Sequence, residues 1–201
     1  MENKKWRQSF EPRIRKLRAE LGRRDPAELA EHAGAQWDGE ALQLSLLGSL
    51  YRLHHPELVA RSADEGDPCP EELQALLLDY LNAADGTLPT DKWVSFRELP
   101  QGEFYFHAFK GYAERPLVET LGNDLDGLRE AALRMGGEPI EFGDCGFAFH
   151  VLPRVRLAVV YWSGDDEFSP HASVLFDAAA HHYLPVDGLA NLGRMLTSRM
   201  A

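Results

Sequence analysis

Two apolar segments near the C-terminal end, each running into dense polar chemistry, constrain this chain more than any other feature. The run Val155-Arg-Leu-Ala-Val-Val-Tyr-Trp162 empties into the acidic loop Gly164-Asp-Asp-Glu167. A second segment, Ser173-Val-Leu-Phe-Asp177, leads to the histidine pair His181-His182. With so few polar positions, Val155 to Trp162 reads as a strand buried on both faces, hence central in its sheet. Where two such segments end in carboxylates and imidazoles, a fold has the material for a pocket or a metal site.

The 201 residues, 44% hydrophobic, suffice for a well-buried core in one domain, residues 25–201, preceded by an appendage, residues 1–24. No run reaches the roughly 18 apolar residues of a membrane span. The start Met1-Glu-Asn-Lys-Lys lacks the apolar heart of a signal peptide, so a cytoplasmic location is expected. Cys69 and Cys145 are too few for an iron–sulfur cluster in this chain. The net charge of −11 is unevenly spread. Residues 1–24 carry nine Lys or Arg against Glu2, Glu11 and Glu20, a balance of +6, which leaves −17 on the remainder. A body so negative repels phosphate backbones and argues against nucleic acid as a partner.

Trp6, Phe10, Ile14, Leu17 and Leu21 recur at helical spacing, with Pro12 expected near that helix's start. Asp25-Pro26 reads as the cap and first position of a short helix stopped by Gly34. Leu42, Leu44 and Leu46 alternate with polar residues, and a turn at Gly48-Ser49 would make a β-hairpin with Leu50 and Leu53. Asp64 to Pro68 is a loop. Pro70 and Glu71-Glu72 open a helix carrying Leu73, Leu76, Leu77, Tyr80 and Leu81. Pro116 begins another, Asn123-Asp124 caps the next, and the last starts near Asp187. Phe142 to Phe147 is turn-like between two short strands. The expected class is α+β, an antiparallel or mixed sheet flanked by helices, with a basic N-terminal helical arm.

Three site chemistries follow from the residues. Asp165, Asp166, Glu167, His171, Asp177, His181 and His182 suit a divalent ion such as iron, zinc or manganese. Against this, Gly-Asp-Asp is turn chemistry, Asp177 suits a helix cap, and adjacent histidines diverge by about 100° around a helix. The segment Phe104-Tyr-Phe-His-Ala-Phe-Lys-Gly-Tyr112 sets Phe104, Tyr105, Phe106, Phe109 and Tyr112 around His107. These rings could sandwich a non-covalent tetrapyrrole, haem or a corrinoid, with His107 axial and His150 on the other side. The plainer alternative is a histidine satisfied within an aromatic core. Hydrolytic chemistry has less behind it: Ser95, Ser163, Ser169 and Ser173 lack a nucleophile elbow. Cys145 lies beside Asp144, which disfavours a thiolate. The third reading is an interaction module, with the basic arm making a homodimer.

Several blocks in order carry a resemblance: Trp93-Val-Ser-Phe-Arg-Glu-Leu-Pro100, Phe142 to Phe149, Tyr161 to Phe168, Val174-Leu-Phe-Asp177 and His182-Tyr-Leu-Pro185. Over roughly residues 28–199 they resemble the DUF3786 family of bacterial and archaeal proteins, largely from anaerobes. That resemblance implies no assigned activity or catalytic residues. Some relatives look like they carry a cysteine-rich iron–sulfur segment, which implies an accessory role beside a redox or methyl-transfer partner. With the aromatic cluster it favours a cofactor-binding accessory protein, a tetrapyrrole ahead of a bare metal.

Overall fold

The computed structural model describes residues 3–64 and 66–201, with the side chains of residues 3–9 outside the description. The Trp6 side chain and Glu65 therefore lie outside the description. The elements form an α+β fold with two sheets. They group into two compact units.

The first unit holds residues 1–88, 152–154 and 182–184. Helix α1 (Asn3–Leu21) buries Ile14, Leu17 and Leu21 and packs on α3 (Glu71–Ala83), where Arg13 pairs with Asp79 at 2.9 Å. Pro12 falls inside α1 instead of at its start. Helix α2 (Pro26–Ala33) begins as its sequence dictates: the Asp25 carboxylate accepts from Ala27 N–H at 2.9 Å, and Gly34 ends it at φ 63°. The strands β1 (Gln36–Trp37), β2 (Ala41–Leu46), β3 (Ser49–His54) and β4 (Ala60–Ser62) form an antiparallel sheet in that order. Leu42, Leu44 and Leu46 all point inward. The β2–β3 turn sits one residue earlier than expected, at Leu47-Gly48, with φ of 48° and 81°. A two-residue hairpin turn that follows strand twist needs positive φ at both positions, so Leu47 shares what Gly48 adopts freely.

The second unit holds residues 89–151, 155–181 and 185–201. Its sheet runs β5 (Trp93–Ser95), β9 (His171–Asp177), β8 (Val155–Trp162), β7 (Cys145–Leu152) and β6 (Glu138–Pro139) in spatial order. Strand β8 is central, as its apolar run predicts, and Val155 and Leu157 to Tyr161 are buried. After β5 the chain makes a 3-10 turn at Phe96–Glu98. It then winds through α4 (Gly102–Phe109), a π turn (Lys110–Glu114) and α5 (Arg115–Leu121). Helix α6 (Leu125–Arg134) is capped by Asp124, which accepts from Gly127 N–H at 2.8 Å. Helix α7 (Val186–Met200) closes the unit. Phe96, Phe109 and Phe176 make the aromatic heart between helices and sheet, Phe96 and Phe109 stacked at 4.2 Å.

Candidate functional site

The segment 104–112 is helical, and a helix cannot aim five rings at one point. Phe109 is wholly buried against Phe96 and Phe176. Phe106 is half-buried under the Lys110 ammonium at 5.6 Å. Phe104 stands 86% exposed. His107 is exposed and touches Phe106 alone among the described aromatic contacts. His150, on β7, is also exposed and makes no ring contact among the described residues.

The acidic and histidine set is likewise distributed. Asp165 Oδ1 accepts from Glu167 N–H at 2.8 Å and Phe168 N–H at 2.7 Å, which holds its carboxyl below the usual range. Asp166 and Glu167 face solvent. Asp177 is buried, and both its oxygens are occupied by Thr90 N–H and Oγ1–H, Asp91 N–H and Ala179 N–H at 2.7–3.1 Å. His181 donates from Nδ1 to the Ala178 carbonyl at 2.8 Å. His182 Nδ1 meets Asp85 Oδ2 at 2.7 Å, while His171 stacks on Trp162 at 4.4 Å. Among the described residues no group of three or more His, Cys, Asp or Glu is placed to hold a metal ion.

Cys145 is buried, and burial pushes its thiol up, away from a reactive thiolate. Its neighbour Asp144 accepts from Ser163 Oγ–H at 2.7 Å and N–H at 2.9 Å, which lowers that carboxyl. Asp144, just before β7, is thereby tied to Ser163, just after β8.

What the second unit does assemble is a groove. Gln101, Tyr105, Ala108 and Tyr112 follow one another up a single helical face. Opposite them lie Pro185, Val186, Asp187 and Ala190 at the start of α7, and Phe96 closes the floor; the cavity is about 420 Å³. Tyr105 and Tyr112 are 55% and 39% exposed. The Tyr112 ring stands edge-on to Phe109 at 5.9 Å, and partial burial raises its hydroxyl while Arg194 acts the other way. Of the lining residues Asp187 alone carries a charge. Tyr105 and Tyr112 were candidate ligand contacts from sequence. Phe96, Ala108 and the α7 residues were not. The 101, 105, 108, 112 spacing is the signal that points to that face.

The aromatic helix, both terminal strands and the Asp177 loop lie within residues 25–199, which match the family described as a domain of unknown function, DUF3786. This chain belongs to the DUF3786 family. No curated protein and no solved structure matches it. The DUF3786 match begins at Asp25, the N-cap of α2, so α1 precedes it. No described helix is long and apolar enough to cross a membrane.

Proposed function

We propose that this DUF3786 chain is a ligand-binding accessory protein whose ligand seats in the groove between α4 and α7. The carrying observation is the concentration of Tyr105, Tyr112, Phe96 and Val186 around about 420 Å³, within the size range of small-molecule sites. Ala108 between the two tyrosines leaves room for a flat apolar body. His107 follows Tyr105 by two positions, about 200° further round the helix. A tetrapyrrole in this groove would therefore rest on tyrosine faces, without His107 as axial ligand. A docking reading, in which a partner protein supplies the apolar group, is favoured by the exposure of Phe104 on the same helix.

The test is calorimetric titration with haem, a corrinoid and small aromatic compounds. Ala108→Trp fills the groove, and His107→Ala serves as control. Binding that falls at least tenfold in Ala108→Trp and persists in His107→Ala is expected. Binding indifferent to Ala108→Trp, or no binding at all, overturns the reading, and dependence on His107 restores the axial-histidine arrangement.

A further inference from the structure

We propose that Glu114 is a proton-controlled latch on the wall of the groove. With its carboxyl protonated the π turn stays closed on β9; with it ionised the turn loosens and Tyr112 moves with it. The latch rests on the shape of the groove and needs no ligand there.

The joint is built from one side chain. Strand β5 pairs with β9 as far as Ser95↔Leu175, and Phe96 then turns away. The Val174 N–H, next along that edge of β9, donates to Glu114 Oε1 at 3.1 Å. Glu114 is the last residue of the π turn, and Tyr112, two residues before it, lines the groove. This hydrogen bond therefore ties the turn that carries Tyr112 to the sheet. Helix α7, which forms the opposite wall, packs on the same turn.

Ionisation works against this arrangement. Glu114 Oε2 is buried and has no hydrogen-bond partner among the described residues. A neutral acid tolerates such a place. A carboxylate there loses its hydration and gains one donor in return. Burial accordingly raises this acid above its ordinary value, against the opposing pull of the Val174 N–H and of Lys110 on the same turn. The remaining charges on the packed elements are placed otherwise. Glu103 and His107 of α4, Arg115 and Glu119 of α5, and Asp187 and Arg199 of α7 are exposed. Arg194 of α7 donates to Asn191 at 2.8 Å, and its field reaches Tyr112. Between His171 and Asp177, β9 has no ionisable side chain.

The turn is also the segment able to respond. The Arg115 N–H reaches back five residues to the Lys110 carbonyl, and Pro116 has no N–H to continue the ladder. Such turns are rare and recur at functional sites. A Cβ on Gly111, in the middle of the turn, would meet nothing within 4 Å, so no packing holds the turn from outside at that point. Loosening there gives water a way to the unpaired oxygen.

The test is an NMR titration of the full chain, without ligand, from about pH 4 to about pH 9. The Glu114 carboxyl is expected to titrate above the usual glutamate range, and the Tyr112 ring and Val174 amide to shift with the same midpoint. Between about pH 5 and about pH 8 the amides of residues 110–116 should lose at least tenfold in hydrogen-exchange protection, after correction for the intrinsic effect of pH. Those of α2 should keep theirs. In Glu114→Gln, protection of 110–116 should stay within about twofold across the same range. Titration of Glu114 in the ordinary range overturns the latch. So does a Tyr112 ring, or exchange of 110–116, that ignores the Glu114 midpoint or still responds in Glu114→Gln. The wild-type titration decides the matter by itself if that variant does not fold. Failure of the latch leaves the ligand-binding reading to be judged by Ala108→Trp.

Discussion

Glu114 is 5% exposed, yet its Oε1 alone is partnered, by Val174 N–H at 3.1 Å, and Oε2 is buried without a hydrogen bond. Its place is intelligible from the sheet. Strand β5 pairs with β9 only as far as Ser95↔Leu175, after which Phe96 turns away, so the carboxyl takes the donor that β5 leaves at Val174. Burial raises this acid above its ordinary value. The folded chain therefore holds more protons than the unfolded one above the ordinary glutamate range, and stability falls as pH climbs from there towards the raised value. Glu114→Gln keeps an acceptor for Val174 and cannot ionise. We expect it to match the wild type near pH 4 and to be the more stable of the two at pH 8, as read by chemical denaturation. Asp177 is the opposite case, a carboxylate saturated with donors from three residues. Asp177→Ala would strand those donors and cost about 3 kcal/mol or more. The Glu114 role is not legible locally, since Val174 is sixty positions away. Of the donors to Asp177, Ala179 N–H two residues on is the cap its sequence suggests, while Thr90 lies eighty-seven positions off.

Elements were legible where their signals are short-range. Asp25, Gly34 and Asp124 act within four residues of themselves, and the Leu42, Leu44, Leu46 alternation needs only one strand's pleat. The same logic made β8 central. The division of strands between two sheets was not legible, since hairpin patterning fixes neighbours and leaves the assignment of each hairpin open. The candidate site divides likewise. Tyr105 and Tyr112 share a helical face that spacing alone reveals, but the opposing wall comes from α7, some eighty positions on. Close packing of these helices depends on Gly193, where a Cβ would lie 2.8 Å from Phe109 Cε2. Phe109 is itself stacked on Phe96 and cannot yield cheaply. Gly193→Ala should therefore destabilise by about 1–3 kcal/mol despite alanine's better helix propensity, and the thermal midpoint should fall.

At the scale of the molecule the question is what the basic segment ahead of the family match contributes. Ile14, Leu17 and Leu21 are 6%, 6% and 0% exposed, and α1 lies on α3. Burial of three such side chains contributes on the order of 5 kcal/mol, comparable with the whole stability of many domains. Arg13–Asp79, with Asp79 largely covered, and the Arg18 contact to Gln74 fix the same packing. The positive charge of residues 1–24 is thus partly matched by acidic groups of its own unit, as the opposite signs of arm and body favour. Removing residues 1–24 should lower the thermal midpoint and raise amide hydrogen exchange within 26–83, because α3 would lose the cover of its apolar face. A homodimer made through the arm requires a different result: truncation would convert dimer to monomer in sedimentation while exchange within 26–83 stayed unchanged. Exchange and sedimentation measured on the same truncated protein separate the two, because packing within a chain is independent of concentration and association between chains is not.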